Sequence, residues 1–159
     1  MLIIGLSLKI IHYSKHMKAS ELITRKSPVV IKVGSPVMEA IKLMADNNVG
    51  LVVIVDSPEN KRVLGVISER DVVRALAKGI DISKATVEQV GTMGNIVSVK
   101  YYDYITTVAR LMNERQVRHV VIVDDDNRVM GVISIRDLLR EKEVIDALAR
   151  LRPYPPVKE

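Results

Sequence analysis

Two short segments of the chain carry the residue types best suited to binding chemistry. Residues 65–71 read GVISERD and residues 131–137 read GVISIRD. A serine followed three residues later by an acid is a helix-capping pattern, and capping is its ordinary structural role. A helix start also offers free backbone N–H groups and a partial positive charge that suit phosphate, and a carboxylate accepts hydrogen bonds from the hydroxyls of a ribose. The segments therefore indicate binding as well as capping, through Ser68, Arg70, Asp71, Ser134, Arg136 and Asp137.

These two segments belong to an internal duplication. Residues 52–56 and residues 120–124 both read VVIVD, and each copy of VVIVD is followed by a polar turn and then by GVIS. The two copies differ mainly in that turn, which reads SPENKRVL in the first and DDNRVM in the second. The chain is therefore two copies of one unit of about 60 residues.

Each copy predicts the same order of elements, namely strand, helix, strand, strand, helix, which is a mixed α/β fold. An extended piece at 29–33 or 96–99 precedes an amphipathic helix. We expect Ser35 and Asp103 to cap those helices, with Pro36 as the first helical residue of copy one. The apolar runs LVVIVD and HVVIVD predict strands that are buried on both faces.

A closing helix is predicted after the serine of each GVIS segment. The first should end near Lys78 with Gly79 beyond it, and the second should run to about Leu151. Because so short a unit buries too little surface to be stable alone, the copies should pack on each other. The predicted division is an N-terminal extension at 1–19, repeat one at 20–80, a connection at 81–95, repeat two at 96–145, and the helix end with a proline-rich tail at 146–159.

Composition excludes several classes of protein and site. Cysteine is absent, which excludes disulfides, thiolate catalysis and sulfur-based zinc sites, and three histidines make a histidine-based metal site unfavourable. The net charge is +5, but the basic residues are scattered among acidic ones, which argues against a dedicated nucleic-acid surface. The apolar segment 1–11 is too short to span a membrane, and it either packs on the domain or precedes a start at Met17. We expect a cytoplasmic protein without catalytic residues, metal or cofactor.

Two copies of this unit, each with VVIVD, a turn and G-V-I-S-x-R-D, resemble a tandem pair of CBS domains, the Bateman module, of the short free-standing type found in archaea and bacteria. The resemblance covers about residues 20–145. It implies one pseudo-two-fold module whose clefts bind AMP, ADP or ATP, with S-adenosylmethionine as a known variation. It further implies that the chain senses energy state and modulates a partner protein, and that it forms a homodimeric disc.

The resemblance also implies which residues form each cleft. The Asp71 site would combine repeat-one residues with a strand of repeat two, namely Ser68, Arg70, Asp71, Val97, Val117, Arg118 and His119. The Asp137 site would combine Ser134, Arg136, Asp137, Val29, Val49, Gly50 and Leu51, with Arg136 reaching across toward the phosphates of the first site. Copy one has Gly50-Leu51 where copy two has Arg118-His119. We therefore expect the Asp71 site to take the more highly phosphorylated ligand, because its additional guanidinium can clamp phosphate.

Alternatives to a nucleotide sensor stay open at this point. They are a nucleic-acid-associated basic protein, an enzyme that slowly hydrolyses a bound nucleotide, and a structural module whose clefts stay empty. A homodimer would bury the outer faces of the closing helices, including Val144, Ile145, Leu148 and Leu151. The effector protein is not identified by the sequence.

Overall fold

The computed structural model describes residues 17–23 and 27–140, which form two β-sheets flanked by helices. In chain order the elements are α1 (Ala19–Ile23), β1 (Val30–Lys32), α2 (Val37–Asn47), β2 (Leu51–Val55), β3 (Val63–Ser68), α3 (Glu69–Ala77), α4 (Val87–Val90), β4 (Thr92–Met93), β5 (Ser98–Lys100), α5 (Ile105–Glu114), β6 (His119–Val123), β7 (Val129–Ser134) and α6 (Ile135–Arg140). The predicted extension before Met17 and the predicted helix end at Leu151 lie outside the described residues.

The predicted order of elements is confirmed in both repeats. The first sheet has the order β1-β2-β3-β4 and the second has the order β5-β6-β7. In each sheet the first strand runs parallel to the second, and the second pairs antiparallel with the third. Helix α3 ends at Ala77, and Gly79 follows Lys78 with a φ of 74°, as the sequence predicts. The structure adds α1, α4 and β4, which carry no clear sequence pattern of their own.

Strands β2 and β6 are buried on both faces, which confirms the interpretation of the two VVIVD runs. On one face, Val52 and Ile54 pack against the helices of repeat one. On the other face, Val53 packs in a layer shared with repeat two. The residues of this shared layer are almost all valines, namely Val53, Val55, Val63, Val121, Val123 and Val129. The two repeats therefore pack on each other through their sheets, as so short a unit requires.

The helix starts differ from the prediction that Ser35 and Asp103 cap α2 and α5. Helix α2 begins at Val37 and α5 at Ile105, and neither preceding residue makes a side-chain capping hydrogen bond. Instead, the Val37 N–H donates to the carbonyl of Ala85, at 3.0 Å, and the Ile105 N–H donates to that of Met17, at 2.9 Å. Because a distant segment satisfies these donors, the residues before each helix stay extended.

The segments that provide those carbonyls cover the sheet of the opposite repeat. Helix α1 packs in the core of repeat two, beside Val99 and Ile133. Residues Ala85 and Val87, which precede repeat two, pack in the core of repeat one. The segment before repeat one therefore completes the core of repeat two, and the segment before repeat two completes the core of repeat one. None of the helices in the described segments combines the length and apolar character that crossing a membrane requires.

Candidate functional site

The Ser68–Asp71 segment is a capping box at the junction of β3 and α3. The Ser68 N–H and the Ser68 hydroxyl both donate to Asp71 Oδ2, at 2.8 and 2.7 Å. In return, the Asp71 N–H donates to Ser68 Oγ at 3.3 Å. The capping role of this pair is confirmed. The cap uses only Oδ2, and none of the described residues donates a hydrogen bond to Oδ1 of Asp71.

The second repeat has the same arrangement at the junction of β7 and α6. The Ser134 N–H and hydroxyl each donate to Asp137 Oδ2 at 2.7 Å. The Asp137 N–H donates to Ser134 Oγ at 3.2 Å. The two segments singled out in the sequence are thus geometrically equivalent.

A cavity of about 180 Å³ lies beside Asp71, between the two repeats. Repeat one contributes Ser68, Arg70 and Asp71, and the first residue of repeat two, Ile96, lies in the same lining. The structure brings together here all seven residues of the predicted Asp71 site, namely Ser68, Arg70, Asp71, Val97, Val117, Arg118 and His119. Their role in binding a ligand stays a prediction.

Other residues of this cavity were not anticipated from the sequence. Arg74 follows Arg70 by one helical turn, so its i, i+4 spacing on the predicted helix was a usable signal. Thr92 and Asn95 come from the connection between the repeats, and no local pattern marked them. The sequence places Leu51 in the other predicted site, yet in the structure it lines this cavity, where it pairs with Ser68 across β2 and β3. Its neighbour Gly50 lines the cavity as well.

Three arginines line this cavity, namely Arg70, Arg74 and Arg118. Within the described part of the chain, ion pairs occur elsewhere, at Lys84–Asp81, Lys100–Asp125, Arg110–Glu114 and Arg128–Asp126, and none involves these three arginines. Among the described residues that line the cavity, Asp71 alone carries a carboxylate. A site with more guanidiniums than carboxylates favours an anionic ligand, and guanidinium is well matched to phosphate.

His119 enters the same cavity from the start of β6, where it is half-buried. Burial lowers the pKa of His119 below the usual histidine value, and the adjacent Arg118 lowers it further, whereas Glu69 and Asp137 oppose the shift. The side chains of His119 and Glu69 both lie close to Gly50, where the absence of a side chain leaves room for them. A Cβ at that position would lie 3.2 Å from Glu69 Oε2 and 3.3 Å from His119 Cε1.

Residues predicted for the Asp137 site hold the same positions in the fold as their counterparts in the Asp71 site. The cavity described above does not reach most of them. Ser134 pairs with His119 across β6 and β7, as Ser68 pairs with Leu51 in repeat one. The Val29 carbonyl accepts from the Val53 N–H at 3.0 Å. The lining of the Asp71 cavity does not include Ser134, Arg136, Asp137, Val29 or Val49. Arg136 therefore does not line the first site, and the Asp137 site stays a prediction.

Comparison with known proteins gives consistent matches. The family model for the CBS domain matches residues 19–78 and 87–144. An uncharacterised 17.7 kDa protein of Acidianus ambivalens is 33% identical over 141 residues, which are 89% of this chain and 82% of that protein. Other curated relatives are longer, and the chain spans 33% of the length of the arabinose 5-phosphate isomerase KdsD of Pseudomonas aeruginosa.

Two solved structures resemble this one closely. The CBS domain protein PAE2072 from Pyrobaculum aerophilum, complexed with AMP, is 32% identical and has a TM-score of 0.76, over 84% of this chain and 99% of that one. The CBS domain pair of protein MJ0100, in complex with 5′-methylthioadenosine and S-adenosyl-L-methionine, is 27% identical and has a TM-score of 0.70, over 78% of this chain and 94% of that one.

Proposed function

Since the chain belongs to the CBS domain family and carries two of its domains in tandem, we propose that it is a non-catalytic regulatory module that binds an adenosine nucleotide between its repeats. CBS domain pairs are generally regulatory modules. The proposed ligands are AMP, ADP and ATP, and the proposed role is to sense energy state and to modulate a partner protein. The related structures with AMP and with S-adenosylmethionine support an adenosine-containing ligand.

The observation that carries this proposal is a cavity lined by three arginines and by Asp71, whose cap uses only one carboxylate oxygen. Asp71 Oδ1, which the cap does not use, can accept a hydrogen bond from a ribose hydroxyl. The groups of Arg70, Arg74 and Arg118 would surround the phosphates. The adenine would lie against aliphatic side chains of the same cavity, namely Ile96, Val97, Val117 and Val121.

The charge of the cavity favours phosphorylated ligands over S-adenosylmethionine. The sulfonium group is a cation, and it would face the same three guanidiniums that attract phosphate. A second or third phosphate would add negative charge within their reach. We therefore propose that the Asp71 site prefers ATP or ADP to AMP, and all three to S-adenosylmethionine.

Calorimetric titration of the full, nucleotide-stripped chain tests this proposal. ATP, ADP, AMP and S-adenosylmethionine are titrated separately into the wild type, Asp71→Ala and Asp137→Ala. We expect ATP binding to weaken at least tenfold in Asp71→Ala, and Asp137→Ala serves as the control for the loss of an equivalent cap. Absence of heat from all four ligands with folded wild type would overturn the proposal, and equal loss in both variants would contradict the assignment to the Asp71 site.

Arg118→Gly tests the origin of the preference among ligands, because glycine is the residue that copy one carries at the matching position. We expect the variant to lose more affinity for ATP than for AMP, and none for S-adenosylmethionine. A uniform loss for all ligands would indicate that Arg118 acts through the shape of the site and not through charge.

The proposal includes a homodimer formed through the outer faces of the closing helices. Val73 on α3 and Leu139 on α6 occupy matching positions of the two repeats. Their side chains are 64% and 58% exposed, so each repeat presents an apolar group at the same place on its surface. The predicted dimer residues Val144, Ile145, Leu148 and Leu151 lie outside the described residues.

A further inference from the structure

His119 occupies a position that touches both repeats. It lines the Asp71 cavity, and across β6 and β7 it pairs with Ser134, which starts the second S-x-R-D segment. The matching residue of copy one is Leu51, so only one half of the molecule carries a titratable group here. The imidazole takes no part in the hydrogen bonds of either capping box.

Charged groups face this imidazole from each neighbouring element. Arg118 precedes it in the chain, Glu69 lies at the start of α3, and Arg136 and Asp137 lie at the start of α6. Arg70, Asp71 and Arg74 line the same cavity. Glu69 is especially close, since its carboxylate and the imidazole both lie against Gly50. The positive and negative groups around His119 are nearly equal in number, so one additional anion would favour the protonated imidazole.

We propose that His119 is a proton-accepting member of the phosphate site, which binds a proton together with an anionic ligand and so makes nucleotide affinity depend on pH. The inference rests on the proposed function, because it requires an anion in the Asp71 cavity. It assigns to this residue a discrimination that depends on pH, which the arginines do not provide because they stay charged throughout the physiological range. An uncharged adenosine gains nothing from the proton, whereas a polyphosphate does.

The direction of the effect follows from linkage. In the free protein, burial and the neighbouring arginines keep the pKa of His119 low, so the imidazole is neutral near pH 7. A bound phosphate adds negative charge to the cavity and raises the pKa, so a proton enters with the ligand. Affinity then increases as pH falls below the pKa of the complex and levels off below that of the free protein. A shift of about one pKa unit corresponds to about tenfold in affinity.

Titration calorimetry in buffers of different ionisation enthalpy measures the proton directly. ATP and adenosine are titrated into wild type and His119→Leu between pH 5.5 and 8. The leucine variant copies the residue of the other repeat, and proton exchange by the ATP phosphates is common to both proteins. We expect wild type to take up more protons with ATP than the variant does, up to one. The gain in ATP affinity at low pH should be about tenfold larger for wild type than for the variant, whereas adenosine should show neither proton uptake through residue 119 nor a pH-dependent affinity in either protein.

The outcomes separate this inference from the proposed function. If the wild type binds ATP and both proteins show the same proton uptake and pH dependence, the inference is wrong and the proposed function stands. If ATP fails to bind at any pH, the proposed function itself is wrong. His119→Gln provides a polar, uncharged replacement in case the leucine variant fails to fold. Glu69→Gln should reduce proton uptake, because it removes the carboxylate that most raises the pKa of His119.

Discussion

Ser68 and Asp71 show how one pair of residues can serve both stability and binding. The two hydrogen bonds from Ser68 fix the carboxylate on one oxygen, Oδ2, and so set the direction of the other. A carboxylate that is already held in place loses little side-chain freedom when a ribose arrives. The capping role and the proposed binding role of the S-x-R-D segment are therefore not competing interpretations, because each uses a different oxygen of the same side chain.

At the same scale, His119 gives a prediction that needs no ligand. Burial lowers its pKa in the folded protein, whereas in the unfolded chain it titrates near 6.5. Below that pH the unfolded state binds more protons, so stability is complete above pH 6.5 and falls as pH decreases, until the pKa of the folded state is reached. We expect His119→Leu to lose less stability than wild type between pH 7 and pH 5. Urea unfolding at several pH values measures this.

The contrary result is also informative. Parallel losses of stability in wild type and His119→Leu would show that the imidazole titrates alike in both states. Lys18→Leu, an exposed change outside the cavity, is a suitable control for the effect of altered net charge.

Among the elements, the glycine of each GVIS segment has a role that depends on an adjoining segment. A Cβ on Gly65 would lie 2.5 Å from the Thr92 carbonyl oxygen of β4. A Cβ on Gly131 would lie 2.7 Å from Ile23 of α1. The repeated glycine therefore permits a different added element to lie on each sheet, β4 on the first and α1 on the second. Since β4 leads directly into Asn95 and Ile96, this packing also shapes the Asp71 cavity.

Gly65→Ala should disturb β4 and lower the free energy of unfolding by about 1–3 kcal/mol, as overpacking typically does. The Gly94 N–H, which donates to the Leu64 carbonyl at 2.9 Å, should exchange faster with solvent. Thermal unfolding and hydrogen exchange measure these effects. Adding Met93→Ala should restore little of the lost stability, because the Thr92 carbonyl remains in place. Full recovery of stability would show that the methionine sulfur, also 2.5 Å from that Cβ, causes the clash.

The whole molecule is held together by the valine layer between its sheets. Val53 and Val121 are 0% and 2% exposed there, and the Val63 N–H donates to the Asn127 carbonyl across the repeats at 3.0 Å. The Asp71 cavity lies at the edge of this contact, with walls from both repeats. A ligand in the cavity would contact both repeats and would favour the arrangement of the repeats that it fits, as the proposed regulatory role requires.

Val73 and Leu139, the most exposed large apolar residues in the described part of the chain, give the prediction at this scale. We expect the wild type to be a dimer in solution, and Val73→Glu or Leu139→Glu to be monomeric, because each would place a charge in the proposed interface. Sedimentation equilibrium measures the mass. Met38→Glu, at a 39% exposed position on α2, is the matched control and should stay dimeric. A monomeric wild type, or a dimer that tolerates both glutamates, would contradict the proposed interface.

The sequence by itself determined the duplication, the order of elements in each repeat, the buried strands and the S-x-R-D capping boxes. These features follow from local patterns, namely side-chain periodicity and the chemistry of a helix start, which neighbouring residues specify. The position of Arg74 in the cavity was also predictable from the sequence, because helical spacing from Arg70 places it on the same face of the helix.

Only the tertiary structure decided the rest. Ser35 and Asp103 do not cap their helices, because carbonyls of Ala85 and Met17, distant in sequence, take the N–H groups at those helix starts. The place of Thr92 and Asn95 in the cavity and the lowered pKa of His119 likewise depend on segments that meet only after folding. Such contacts are set by the packing of one repeat on the other, and no pattern within a single window of residues specifies them.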